Sequence, residues 1–209
     1  ILKAKQMGTQ IGSKDLDYVS DIHESAQHLL GVIEQILYSA KIAGGNWTID
    51  PARLDVAEIV RHATRQIEIQ TREKNLDLRV DIQPDVPRLW ADERSLRQIL
   101  INLLSNAAKY TPDVGRIEVG VWLSGDGEIC IRVADTGLGM DEDEKRRALE
   151  AFGQAEDRYA RRAGGTGLGL PIVKSLVELH QGRLDVDTAK GRGTTVCVIM
   201  PVDRTCMDM

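Results

Sequence analysis

Between Leu16 and Ala43 the apolar residues recur in steps of three and four: Val19, Ile22, Ala26, Leu29, Ile33, Ile36, Ala40 and Ala43. That spacing is an a/d heptad seam. Leu16, Leu30 and Leu37 fall on the flanking e position and widen the seam into the face of a helix in a four-helix bundle. One helix cannot bury such a face alone. The preceding "QMGTQIGSKDLDY" reads as a helix-to-helix turn, with Gly12 and Ser13 placed to end one helix and cap the next. "ILKAK" is therefore expected to be the tail of an antiparallel partner helix, and a second chain is expected to complete the bundle as a homodimer. "AGGN", Ala43 to Asn46, closes the helix and is the expected hinge.

Past the hinge the periodicity is mixed. "NWTID" predicts a short strand, Val56 to Lys74 a helix, "LDLRVDI" an alternating strand and Asp92 to Tyr110 a helix. "RIEVGVWL" and "EICIRVAD" predict a hairpin around "SGDG". A short helix near Glu144 to Phe152, an Arg-rich loop, a helix from Leu168 to His180 and two strands, "GRLDVDT" and "GTTVCVIM", follow. Hairpins interspersed with helices, rather than regular βαβ alternation, predict an α+β fold. It would be a two-layer sandwich, a mixed sheet with helices on one face, preceded by a helical hairpin. The division is a partial helical hairpin at 1–45, a catalytic or binding domain at 46–205 and a tail at 206–209.

Composition narrows the chemistry. The 209 residues suit a domain and a half, and 42% apolar with 28% charged residues is ordinary for a globular chain. A net charge of −5 offers no global attraction to nucleic acid or an anionic membrane, so any polyanion must be held by a local site. Cys130, Cys197 and Cys206 are odd in number and widely spaced, which indicates neither a disulfide framework nor a zinc site. No apolar run approaches the roughly 20 residues of a membrane span. The opening "ILKAKQMG" lacks an initiator Met and begins mid-pattern, as the end of something longer would.

The helix from Asp92 carries two stripes. Leu96, Ile99, Leu100, Leu103 and Ala107 should face the sheet, while Asn102, Asn106 and Lys109 form a row on another face with Tyr110 beside them. Two glycine-rich segments, "DTGLGM" after a strand and "GGTGLGL" at the start of a helix with Pro171 in its first turn, would let backbone amides approach a phosphate. "GGTGLGL" lacks the Lys-Ser/Thr pair of a P-loop and the ribose-binding acid of a dinucleotide fold. Between the segments, Arg158, Arg161 and Arg162 suit either a charged surface loop or a lid over a triphosphate.

"LRQILINLLSNAAKYTP", "DTGLGM", "AFGQ" and "GGTGLGL", in that order, resemble the N, G1, F and G2 boxes of the sensor histidine kinases. "DIHESAQHLLGVIEQILYSAKI" resembles the second helix of that family's dimerisation and phosphotransfer bundle. The resemblance implies the ATP-binding fold shared with gyrase-type and Hsp90-type ATPases, with ATP and Mg²⁺ as cofactors. It further implies transfer of the γ-phosphate to a histidine, relay to a response-regulator receiver domain, and a cytoplasmic location, with or without a membrane anchor on the parent protein. By that likeness Asp135 would accept the adenine amino hydrogen, with Gly137 and Gly139 in its box, and Thr194 would support the adenine pocket. Asn106 would bind Mg²⁺, with Asn102 one turn before it, while Lys109 and Tyr110 would line the phosphate and ribose side. Arg162 would belong to the lid, and Gly165, Thr166, Gly167, Leu168 and Gly169 would offer amides to the phosphates.

Asn102 separates the enzyme classes. In hydrolytic relatives this position holds a glutamate that polarises water, and a carboxamide has no useful basicity, so transfer to a side chain is favoured over an ATP-driven gate. The family's acceptor histidine is followed by an acid and, a few residues on, a proline. His23 has Glu24 but no proline before Pro51, and it sits at an e position of what resembles the second helix. It reads as a bundle-flank residue, and the acceptor is expected upstream of Ile1. His28 falls at c, and His62 and His180 read as solvated helix faces. Tyr38 and Ala43 stand where the family often has an acid. With the acceptor out of view, a pseudokinase adaptor that binds a regulator or a partner kinase is the alternative.

Overall fold

The computed structural model describes residues 48–150 and 167–206, together with Tyr18, Val19, Ile22, Ala26, Leu29, Ile33 and Gly44. The expected helical hairpin at 1–45 lies largely outside the described residues. Of its seam, Val19, Ile22, Ala26, Leu29 and Ile33 are helical and exposed.

Eight strands and five α-helices make up the described domain. In chain order they are β1 (Pro51–Leu54), α1 (Val56–Gln66), α2 (Glu68–Glu73), β2 (Asp77–Ile82), β3 (Arg88–Asp92) and α3 (Glu93–Tyr110). Then come β4 (Arg116–Leu123), β5 (Ile129–Asp135), α4 (Glu142–Ala148), α5 (Gly169–Leu179), β6 (Arg183–Ala189), β7 (Gly193–Met200) and β8 (Thr205–Cys206). The main sheet has the order β2-β4-β5-β7-β6, with β2 and β4 parallel and every other pair antiparallel. It is the mixed sheet that the hydrophobic pattern predicts.

Alternation along the strands sorts the two faces. Ile117, Val119 and Val121 of β4, Ile129, Ile131 and Val133 of β5, and Val196, Val198 and Met200 of β7 are buried in one core with α1, α3 and α5. Their neighbours Glu118, Arg132 and Asp185 turn to the other face, where Glu118 pairs with Arg116 and Arg132. Leu96, Ile99, Leu100, Leu103 and Ala107 are buried in that core, as their spacing predicts. Cys130 is buried and Cys197 half-buried among the strand residues of the opposite face.

Several local expectations change. The strand expected at "NWTID" begins at Pro51 instead, where β1 pairs with β3. The helix expected from Val56 to Lys74 is broken at Ile67, whose φ of −96° and ψ of 0° leave the helical region. Thr64 and Thr71 each turn the hydroxyl onto a carbonyl three residues back, a contact that competes with the helical ladder. Strand β3 went unforeseen because its five residues sit between Pro87 and the cap of the next helix. It pairs with both β1 and β8 in a second, three-stranded sheet, so Cys206 belongs to a strand rather than to a tail. The short helix falls at Glu142–Ala148, earlier than expected, because Asp141 and Glu144 form a reciprocal capping box, 2.8 and 3.0 Å.

Trp90 is 43% exposed on the small sheet, and Trp122 is half-buried with the Arg132 guanidinium 6.0 Å from its ring. His62 meets Arg97 at the surface, Nη1 to Nδ1 3.2 Å. His180 is a correction: it has no exposed surface and is no solvated-face residue. Its Nε2 accepts the Asp92 N–H at 3.1 Å, so Nδ1 carries the proton and donates to the Leu176 carbonyl at 2.7 Å. The last turn of α5 thus ends against the start of α3, 88 residues away in sequence.

Burial pushes the His180 imidazole below its ordinary value of 6.5, with Arg204 adding to the shift and Asp92 and the Leu176 bond opposing it. The unfolded chain therefore binds the extra proton more readily, and stability is lost as pH falls through 6.5 toward the folded value. Urea titrations at about pH 8 and about pH 5 are expected to show this loss in the parent. His180→Gln should be less stable throughout but lack that share of the pH dependence, and an identical pH dependence in both proteins would refute it. Val114 offers a gain instead. This β-branched residue has a φ of 63° and is 80% exposed. Val114→Gly should raise the unfolding free energy by about 1 kcal/mol, read from the urea midpoint.

Candidate functional site

The C-terminal ends of β5 and α3 and the N-terminal end of α5 converge. Asp135 closes β5 directly opposite Thr194 of β7. Its Oδ1 accepts two backbone N–H groups, Gly137 at 2.8 Å and Thr194 at 3.3 Å. Desolvation outweighs both bonds and pushes the half-buried carboxyl up to about 6. Among the described residues its Oδ2 takes no hydrogen bond, so one carboxylate oxygen is held and the other is left for a donor from outside.

Glycines are required here by contact rather than by composition. A Cβ on Gly193, at φ 84°, would lie 1.9 Å from the Asp135 carbonyl oxygen. One on Gly139, at φ 62°, would lie 1.9 Å from the Ala189 carbonyl oxygen. Both substitutions would drive the segment from Asp135 to Met140 off the β6–β7 turn. That turn also holds the segment through Gly191 N–H to Leu138 O at 2.7 Å and through Lys190 to Asp141 at 3.0 Å and Glu144 at 3.1 Å.

The polar row on α3 divides between two tasks. Asn102 is 5% exposed, and its amide is used at both ends: Oδ1 accepts from Gln98 at 3.0 Å and Nδ2 donates to Gly169 O at 3.3 Å. It ties α3 to the first residue of α5. Asn106 lies alongside, since a Cβ on Gly169 would be 3.5 Å from its Nδ2 and 3.8 Å from its Oδ1. Lys109 Nζ sits 4.9 Å from the Tyr110 ring centroid. Burial pushes the Lys109 ammonium down and the Tyr110 hydroxyl up. The two halves of the site join where Leu138 N–H donates to Tyr110 O at 3.3 Å.

Gly167, Leu168 and Gly169 lead into α5, and Leu168 is buried. The helix has no side-chain cap bond at Leu168 and no acid in its first turn, so neither a capping side chain nor a carboxylate offsets its positive dipole end. Arg162, Gly165 and Thr166, with Arg158, Arg161 and "AFGQ", lie outside the described residues. Among the described residues there is no group of three or more His, Cys, Asp or Glu that could hold a metal, and no helix long and apolar enough to cross a membrane. Thr188 was not singled out from the sequence. Its hydroxyl accepts from Met140 N–H at 2.9 Å, donates to Gly193 O at 3.1 Å and lies 3.0 Å from the Thr194 hydroxyl. Pairing "LDVDT" with "TTVCV" across the intervening turn would have set it opposite Thr194.

Gly139→Ala is expected to cost about 2 kcal/mol or more, because it adds both a forbidden φ and a backbone clash. Circular dichroism melts should show the loss, and a parent-like midpoint would mean that the β6–β7 turn yields freely.

Comparison with known proteins fits this arrangement. Residues 91–204 match the family described as histidine kinase-, DNA gyrase B-, and HSP90-like ATPase. The chain is 36% identical to a sensor-like histidine kinase of Rhizobium meliloti, over 100% of this chain and 41% of that protein. It is also 36% identical to the circadian input-output histidine kinase CikA of Synechococcus elongatus, over 88% of this chain and 25% of that one. In structure it is similar to full-length ShkA, crystallised with AMPPNP, at a TM-score of 0.81 and 28% identity, covering 96% of this chain and 41% of ShkA. The chain thus spans well under half the length of these relatives.

Proposed function

The chain belongs to the histidine kinase-, DNA gyrase B-, and HSP90-like ATPase family, and from that membership we propose that residues 46–205 are the Mg-ATP-binding catalytic domain of a sensor histidine kinase. Residues 1–45 are then part of its dimerisation and phosphotransfer helices, and the γ-phosphate goes to a histidine outside this chain for relay to a receiver domain. The observation that carries the nucleotide reading is Asp135. Its Oδ1 is saturated by Gly137 and Thr194, and its Oδ2 is left to accept the exocyclic amine hydrogen of adenine.

The remaining residues fit such a ligand by their chemistry. Gly137 leaves room beside Asp135, because a Cβ there would lie 2.6 Å from both Asp135 Oδ1 and Tyr110 O. Thr194 is held by Thr188 on the adenine side. Asn106 offers a hard carboxamide oxygen, the donor type of a Mg²⁺ that takes its other ligands from phosphates and water. When bound, that ion would neutralise charge on the transferring phosphoryl group. Lys109 and Tyr110 lie on the phosphate and ribose side. The amides of Gly165, Thr166, Gly167, Leu168 and Gly169 at the α5 N-terminus, and the Arg162 guanidinium, would receive the phosphate oxygens. Asn102 holds Gly169 with an amide that cannot take a proton, which supports phosphoryl transfer to a side chain over water activation.

Calorimetric titration of Mg-AMPPNP into the chain and into Asp135→Asn tests this reading. The variant should bind about tenfold to a hundredfold more weakly, the range for a hydrogen bond to a charged partner. Because burial pushes the Asp135 carboxyl up to about 6, parent affinity should also fall as pH drops through that value, with proton release on binding. Affinity unchanged by the substitution or by acid would remove Asp135 from the site. Absence of binding by the parent would favour an adaptor in the same pathway.

A further inference from the structure

We propose that Lys74, at the end of α2 and on none of the elements that form the site, is a positioning residue that sets the nucleotide affinity of this domain; the inference rests on the nucleotide reading above. Its ammonium donates to three carbonyl oxygens at the end of α3: Ala108 at 2.8 Å, Lys109 at 3.0 Å and Thr111 at 3.2 Å. The last carbonyls of a helix have no partners within it, and a cation there also meets the negative end of the helix dipole. Most helices end in water or on a glycine turn. Here a lysine from another element takes three of the final acceptors at once.

The other acceptors of the last turn are distributed so that each fixes a different neighbour. Ala107 O receives both the N–H and the hydroxyl of Thr111, at 3.1 and 2.6 Å. Tyr110 O points instead to the glycine segment and receives Leu138 N–H. Lys74 O in turn accepts Val114 N–H at 2.9 Å, so one residue pins α3 with its side chain and the following loop with its backbone. The consequence is directional. Lys74 holds the carbonyls on one side of the helix end, which leaves Tyr110 O aimed at Leu138 and keeps Asn106, Lys109 and Tyr110 in register with Asp135. Without the ammonium, the Ala108, Lys109 and Thr111 carbonyls must find water. The final turn is then free to fray, and the first residues to move are those assigned to the phosphates and ribose. Asp135 and Thr194, assigned to adenine, pair across β5 and β7, whereas the three bonds of the Lys74 ammonium go to the end of α3.

That division gives a test that a general loss of stability would not mimic. Lys74→Met keeps the aliphatic stem and removes the donors, while Lys74→Arg keeps a charged donor. Both are compared with the parent for Mg-AMPPNP by calorimetry and for adenine by NMR titration, well below their melting temperatures. In Lys74→Met, affinity for Mg-AMPPNP should fall about tenfold, within the range of couplings between distant groups, while adenine affinity stays within about twofold. Lys74→Arg should restore much of the loss. Amide exchange at Leu138, bonded to Tyr110 O, should accelerate in Lys74→Met. Parent-like Mg-AMPPNP affinity in Lys74→Met, or equal losses for both ligands, would overturn the assignment. If Lys74→Met does not fold, Lys74→Gln, which removes the charge, is read in the same way: a loss confined to Mg-AMPPNP upholds the assignment, and parent-like affinity or equal losses for both ligands refute it. A parent that binds neither ligand defeats the nucleotide reading, and this inference with it.

Discussion

A buried helix must dispose of four N–H groups at one end and four carbonyls at the other, and the described domain is arranged around how α3 meets that demand. At its start, Asp92 Oδ1 accepts the Ser95 N–H at 2.7 Å and Asp92 Oδ2 the Asp50 N–H at 3.1 Å, while the Asp92 N–H itself goes to His180. At its end, Lys74 and the Leu138 amide share the carbonyls. With both termini satisfied, the apolar stripe from Leu96 to Ala107 can lie against the sheet without stranding polar backbone in the core. Helix α3 then becomes the rigid member against which the loop after β5 and the start of α5 are placed.

The same logic explains why the site is built from backbone as much as from side chains. Asp135, Thr188 and Asn102 use their polar atoms chiefly on backbone N–H and carbonyl groups, and Gly137, Gly139 and Gly193 bring the chain closer than any Cβ would allow. Such contacts leave few side-chain atoms uncommitted among the described residues, and Asp135 Oδ2 is one of them. The raised Asp135 carboxyl is the electrostatic counterpart: a group kept partly dry, where a single hydrogen bond counts for more.

Most of the described strands and helices past residue 48 were legible in the sequence. The alternation in "RIEVGVWL" and "GTTVCVIM" and the period of Leu96 to Ala107 report directly on which side of an element is dry. The boundaries and the second sheet were less legible. Strand β3 carries only Leu89 and Ala91 as its inward pair, and β8 has two residues, too few for a periodicity to register. Of the candidate site, Asp135, Gly137 and Thr194 meet in one hydrogen-bonded group, and Asn106 lies beside Gly169. Asn102 spends its amide on Gln98 and Gly169, and what a carboxamide meets depends on what packs across from it.

Local pattern was sufficient for the amphipathic faces and the glycine segments, since each depends on residues a few positions apart. Long-range pairing alone decided the rest. His180 became a buried neutral acceptor, Thr188 a partner of Thr194, and Lys74 a clamp on α3, through contacts between residues 88, 6 and 34 to 37 positions apart. A side chain's periodicity states which face of its own element it occupies. The partner that waits on that face belongs to another element, and only the folded chain brings it there.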